Sequence, residues 1–134
     1  MNAALSLQRA MREALLADAP LAALLGGAHV FDEAPRGGKP PFVSFEQIET
    51  RDWSTGDAKA HEHFVQLQVT TAERGRTQAQ AICDRIEVVL DRGDLVLDGH
   101  VLVNLRLVFW SVARNRNEQT FGAQLRFRAA TEPL

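Results

Sequence analysis

His61 and His63, flanking Glu62, are the residues whose type and spacing could most directly do chemistry. Two imidazoles at i, i+2 on a strand point the same way and could both ligate Zn²⁺. No cysteine lies nearby, and His29 and His100 are distant in sequence. The plainer reading is the outer end of a hairpin strand carrying solvated imidazoles. Cys83 could serve as a nucleophile beside a histidine, but it falls on the apolar stripe of a helix, where a thiol packs as a small hydrophobe. The carboxylate pairs Glu46 with Glu49 and Asp91 with Asp94 have nothing to hold them in a cleft, as acid–base work requires. Gly37-Gly38 lies between prolines with no helix behind it, so it is not a phosphate loop. There is no Gly-x-Ser-x-Gly elbow. The residues therefore assemble no catalytic constellation, and no cofactor or metal is expected.

Composition fits that reading. The 134 residues are 46% apolar and 24% charged with a formal net charge of -2. This describes one globular domain that can bury a core without staples, and not a general polyanion binder. A single cysteine excludes an internal disulfide. No run approaches a membrane-spanning length, and the first residues lack the basic and apolar regions of a signal peptide, so a soluble, intracellularly made domain is expected. Arginine outnumbers lysine 13 to 2. A GC-rich genome explains such a bias, and so does an interface, where the guanidinium fork bonds carboxylates in pairs.

The elements that would position these residues follow from periodicity. Leu7, Met11, Ala14 and Leu15 lie on one face of a helix over 4–17. Asp18 caps a second, short helix that has Pro20 in its first turn and Leu21, Leu24 and Leu25 on its apolar face; Gly26-Gly27 stops it. A short strand at 29–31 and a Pro/Gly loop at 32–41 precede a long strand over 42–53. Val43 and Phe45 share a face that Ile48 breaks, so a bulge is expected near Glu46–Gln47. After a turn at 54–57 the chain returns as a strand over 59–71. Ala79, Ile82, Cys83, Ile86, Val89 and Leu90 mark a helix over 76–91. Asp98-Gly99 suits a tight hairpin between 95–97 and 100–103. The strand over 100–111 is expected to bury Val101, Val103, Leu105, Leu107 and Phe109. The last strand buries Phe121, Ala123, Leu125, Phe127 and Ala129, and its partner residues Gly122, Gln124, Arg126 and Arg128 point out. The fold class is α+β: a mainly antiparallel sheet with long hairpins and two amphipathic helices on one face. The whole chain, 1–134, reads as one domain.

Two features exceed a bland background. Residues 46–62 carry five acids against Arg51 and Lys59, a balance of -3, whereas residues 106–128 carry five arginines against Glu118, a balance of +4. The two hairpins either neutralise each other within one sheet or meet on neighbouring copies. The hairpin arms are also long, and Trp53 and Trp110 sit near strand ends, either at an interface or on the edge of the monomer's own core. Arg106, Arg126 and Arg128 share the outward face with Asn104 and Gln124. The last strand has no outward aromatic for base stacking, which argues against sequence-specific nucleic-acid binding.

Several strings occur in an order that resembles a known family. They are Leu7-Gln8-Arg9-Ala10, the run from Leu15-Leu16-Ala17-Asp18 to Ala23-Leu24, Val30-Phe31-Asp32-Glu33-Ala34-Pro35 and Pro41-Phe42-Val43. Further on come Asp52-Trp53-Ser54-Thr55, Ala79-Gln80-Ala81-Ile82, Leu97-Asp98-Gly99-His100 and Leu125-Arg126-Phe127-Arg128-Ala129. Over nearly its whole length the chain resembles the tail completion or tail terminator (head–tail joining) proteins of long-tailed phages, prophages and gene transfer agents.

That resemblance implies a structural virion protein without catalytic residues, made in the bacterial cytoplasm and placed at the head–tail junction. It implies a homo-oligomeric ring, typically a hexamer, that caps the head-proximal end of the tail tube and ends tube polymerisation. The implied partners are the tail tube protein and a head–tail connector or stopper protein, with DNA passing through the lumen without sequence-specific binding and no membrane involved. The residues expected to make assembly contacts are Arg51, Asp52, Trp53, Ser54, Thr55 and Asp57 at the first hairpin, Arg114, Arg116 and Glu118 in the later loop, and Trp110, Arg126 and Arg128. The alternatives are a connector adaptor or other minor tail protein, or a small metal- or ligand-binding enzyme domain.

Overall fold

The computed structural model describes every residue except 73 and 116–118. The first helix, α1 (Ala3–Leu16), starts where the Asn2 side chain accepts the Leu5 N–H at 2.8 Å. The second, α2 (Ala19–Leu25), is capped by Asp18, which accepts the Leu21 N–H at 3.0 Å, and it ends at Gly26 with φ +77°. That left-handed angle is cheap only for a residue without Cβ. A two-residue strand, β1 (Val30–Phe31), leads through the Pro/Gly loop to the long strands β2 (Phe42–Asp52) and β3 (His61–Thr71). The third helix, α3 (Arg76–Leu90), precedes β4 (His100–Asn115) and β5 (Thr120–Pro133).

The strands form one sheet in the order β1-β2-β3-β5-β4, antiparallel except for the parallel β1–β2 pair. The α+β class and the mainly antiparallel sheet are as expected. The helical layer has three members, because the short α2 also contributes Leu21 and Leu25 to the core. Leu7, Met11 and Leu15 of α1 and Ile82, Cys83 and Ile86 of α3 pack with them against Val43, Val65, Leu67, Leu125 and Phe127 on one sheet face. Burial pushes the Cys83 thiol up to about 12, consistent with a hydrophobe and not a nucleophile. The opposite, outer face has no helix on it among the described residues.

The bulge in β2 falls between Phe45 and Gln47, and it sets Ile48 opposite Val65 on the core side. Two further bulges in β4, between Leu102 and Asn104 and between Leu107 and Phe109, were not legible in the sequence. They change which side chains point inward. Leu105 is buried and Leu107 lies opposite Phe127, but Val101, Val103 and Phe109 are exposed. Trp110, opposite Leu125, turns to the core side of the sheet beyond the region that is sealed. An uninterrupted alternation from 101 to 109 is therefore wrong: each extra residue reverses the phase.

The expected strand at 95–97 is also absent. The Asp98-Gly99 turn forms, with Gly99 at φ +76°, but it closes only a single bridge between Leu97 and His100. Leu97 instead inserts into the core, and the Ser6 hydroxyl donates to the Asp98 carbonyl at 2.8 Å. Burial of one leucine in that corner wins over a regular ladder.

Candidate functional site

The first hairpin tip is built by local polar contacts. Asp52 accepts the Ser54 N–H at 3.1 Å and the Ser54 hydroxyl at 2.6 Å, and Ser54 Oγ in turn accepts the Ala60 N–H. The Ser54 hydroxyl and N–H hold the Asp52 carboxyl below its usual range. Thr55 and Ala58 bridge across the tip. Arg51, Asp52, Trp53, Ser54, Thr55 and Asp57 are all exposed. The turn chemistry thus orders the tip and leaves much of its surface open to solvent.

Trp53 folds back over the outer face, where the Arg128 guanidinium lies 5.1 Å from its ring centre. Arg128 Nε also donates to Glu62 at 2.8 Å. Because β3 and β5 are neighbours, this pair realises the within-sheet neutralisation anticipated for the acidic and basic hairpins. Arg126 lies over Phe109 at 5.7 Å, and Arg51 over Phe64 at 5.9 Å. A shallow hollow of about 240 Å³ lies on this face, lined by Gln47, Glu49, Arg51, Phe64, Gln66 and Arg126. It presents amide, guanidinium and carboxylate groups in a solvent-facing surface, with no nucleophile and no acid–base pair among its lining.

The expected contact residues separate into two groups. The tip residues 51–57 gather with Arg128 at one end of the sheet. Arg114 pairs with Phe121 in register at the other end, roughly 24 Å along β5 from Arg128. Arg126 lies between them, and Trp110 turns to the other face. Arg116 and Glu118 lie outside the described residues. Phe64, Arg106 and Phe109 belong to this outer surface too but were not singled out as contacts. Arg106 sits directly opposite Arg128 across the β4–β5 ladder. The outward alternation of β5 had placed Arg126 and Arg128 here, but only the bulges bring Phe109 beside Arg126.

The His61–His63 pair is not a ligand pair. His63 is buried, not solvated, and both its ring nitrogens are engaged: Nδ1 with Thr50 Oγ1 at 2.9 Å and Nε2 with Thr131 Oγ1 at 2.8 Å. Burial, with the positive charges of His61 and His100 adding to it, lowers its pKa to about 4. It is a neutral cross-link between β2, β3 and β5. Among the described residues no three His, Cys, Asp or Glu side chains gather as metal ligands.

A family model described as tail completion protein gp17 matches residues 9–132. Among solved structures, a chain in the virion of a native gene transfer agent (GTA) particle is similar over 98% of this chain and 99% of that one, with 30% identity and a TM-score of 0.86. No curated protein matches at a significant level.

Proposed function

The chain belongs to the tail completion protein gp17 family, and from that premise we propose that it caps the head-proximal end of a phage-type tail tube and joins the tail to the head. A tail structural role and a place in the virion follow from the family and from the likeness to a gene transfer agent virion chain. The finer reading is a ring of copies, a hexamer, seated on the last ring of tube protein. Its tube-facing side buries the free end of the tube. Its other side differs from tube protein, so no further tube ring can dock, and a connector or stopper protein binds there instead. Head-to-tail contacts between identical chains close into such a ring when the rotation permits.

One observation carries the reading: the whole fold, helices included, matches a virion chain end to end. The rest of the molecule agrees with a joint. Its tip is exposed, and the hollow on its outer face is lined by no nucleophile and no acid–base pair. A net charge of -2 leaves DNA free to move through a lumen, since an uncompensated basic wall would hold it through counterion release.

Deleting residues 54–57 tests the role of the tip. The variant is expected to fold with an unchanged circular dichroism spectrum while separate heads and tails accumulate in place of joined particles. Normal yield of joined particles from that deletion would overturn the assignment of the tip.

A further inference from the structure

The two edges of the sheet differ in character. On one side, β1 covers β2 only at Val43 and Ser44, so residues 47–52 have no strand neighbour beyond them among the described residues. On the other side, β4 is outermost, and the chain before it covers part of its edge. Arg92 N–H donates to the Leu105 carbonyl at 2.7 Å, and the Leu107 N–H donates to Asp91 Oδ1 at 2.7 Å. That cover stops there. Residues 108–113 have no hydrogen-bonded neighbour on the outer side among the described residues.

The open stretch of β4 is not protected in the usual way. Natural edges are blunted by charges, prolines or a covering segment. Here Val108, Phe109 and Trp110 follow one another, 50%, 49% and 51% exposed. Next to them, Arg106 stands directly opposite Arg128. Like charges in that position repel across a ladder. Arg128 is already committed to Glu62, and Arg106 has no anionic partner among the described residues. The β4 edge is therefore apolar and carries an arginine in need of a carboxylate.

The opposite edge offers carboxylates. Asp32, Glu33 and Glu46 line a groove of about 230 Å³ beside β2, and Glu49, Asp52 and Asp57 continue along the strand to the tip. Asp57 is exposed. We infer that the β4 edge of one copy docks on the β2 edge of a second copy, residues 108–113 running antiparallel to residues 47–52. The inference rests on the ring reading and names the surfaces that would close it. The two open stretches lie toward opposite ends of the sheet, so the copies are staggered along the strand direction. The stagger carries the acidic tip, Asp52 and Asp57, to the level of Arg106 of the neighbour. The contact is heterologous, each copy using one edge of each kind, which permits a closed ring.

A charge exchange tests this. Arg106→Glu removes the repulsion with Arg128, so the isolated chain should melt at the same temperature or higher. In the same variant, joined particles should fall about tenfold. Asp57→Arg should fall similarly, and the double variant should recover to within about threefold of the natural chain. Single variants at full yield, or a double variant as poor as the worse single, would overturn the edge contact while a ring seen in the particles kept the proposed function. Absence of the chain from the head–tail junction of natural particles would overturn both.

Discussion

Trp53 and Arg128 are 75 residues apart in sequence, yet the Arg128 guanidinium lies 5.1 Å from the centre of the indole ring. This pairing ties the projecting tip between β2 and β3 to the outer face of β5. It holds the tip without burying it, since Trp53 remains 47% exposed.

Trp53→Ala separates a role in the monomer from one in joining. A partly exposed cation–π contact is worth about 0.5–1 kcal/mol, and the half-buried indole also loses its remaining apolar burial, so denaturant unfolding of the isolated chain should change by about 1–2 kcal/mol. Joining of heads to tails, counted by electron microscopy, should fall by far more than so small a destabilisation explains. Equal, small effects on both would make Trp53 a monomer residue only.

The burial of His63 predicts an acid-sensitive fold. Its folded pKa is about 4 against an ordinary 6.5, so the unfolded chain takes up the proton first as pH falls. Its contribution is fully present above pH 6.5 and is lost progressively between pH 6.5 and 4. The loss runs at about 1.4 kcal/mol per pH unit and reaches on the order of 3 kcal/mol. Denaturant titrations at pH 7, 5.5 and 4.5 on the natural chain and on His63→Gln check this. The variant should be weaker at pH 7 and should lose that part of the slope.

Asp18 joins two helices. It caps α2, and both its oxygens accept from Arg85 of α3 at 2.7 Å. The hydrogen bonds from Arg85 hold its carboxyl below the usual range, so this contribution persists above pH 4 and is lost only as pH falls through the lowered value. Asp18→Ala should cost about 1–2 kcal/mol from the cap alone. In a double-mutant cycle with Arg85→Ala the effects should be non-additive, because either single change already breaks the pair.

The bulge in β4 makes a contrasting pair of predictions. Phe127→Ala empties a fully buried site and should cost about 3–5 kcal/mol. Phe109→Ser, at a position that plain alternation would bury, should cost less than about 1 kcal/mol. Comparable losses at both positions would restore the uninterrupted strand.

The legible parts of the fold are those decided locally. Asp18 with Pro20, the α3 stripe ending at Leu90 and the outward arginines of β5 are each fixed by neighbours within a turn or two. The bulge in β2 was legible because Ile48 is out of phase and must still be buried. The bulges in β4 left no such mark: one face from Val101 to Trp110 is apolar throughout and the other is mixed, with Leu102, Val108 and Trp110 beside Asn104 and Arg106, so no phase error is visible. The position of β5 between β3 and β4 depends on contacts between distant residues, and it decides which arginine meets Glu62. His63 was misread for a related reason. Its partners, Thr50 and Thr131, come from two other strands, and only the register brings them to its ring.

Under the proposed function, copies of this chain form a joint at the top of a tail. Electron cryomicroscopy of intact particles, with this chain fitted by its fold, tests that most directly. The account predicts a closed ring of the chain between the last tube ring and the head connector, with the β4 edge of each copy against the β2 edge of the next. The chain found elsewhere in the particle, or present there without ring symmetry, would contradict it.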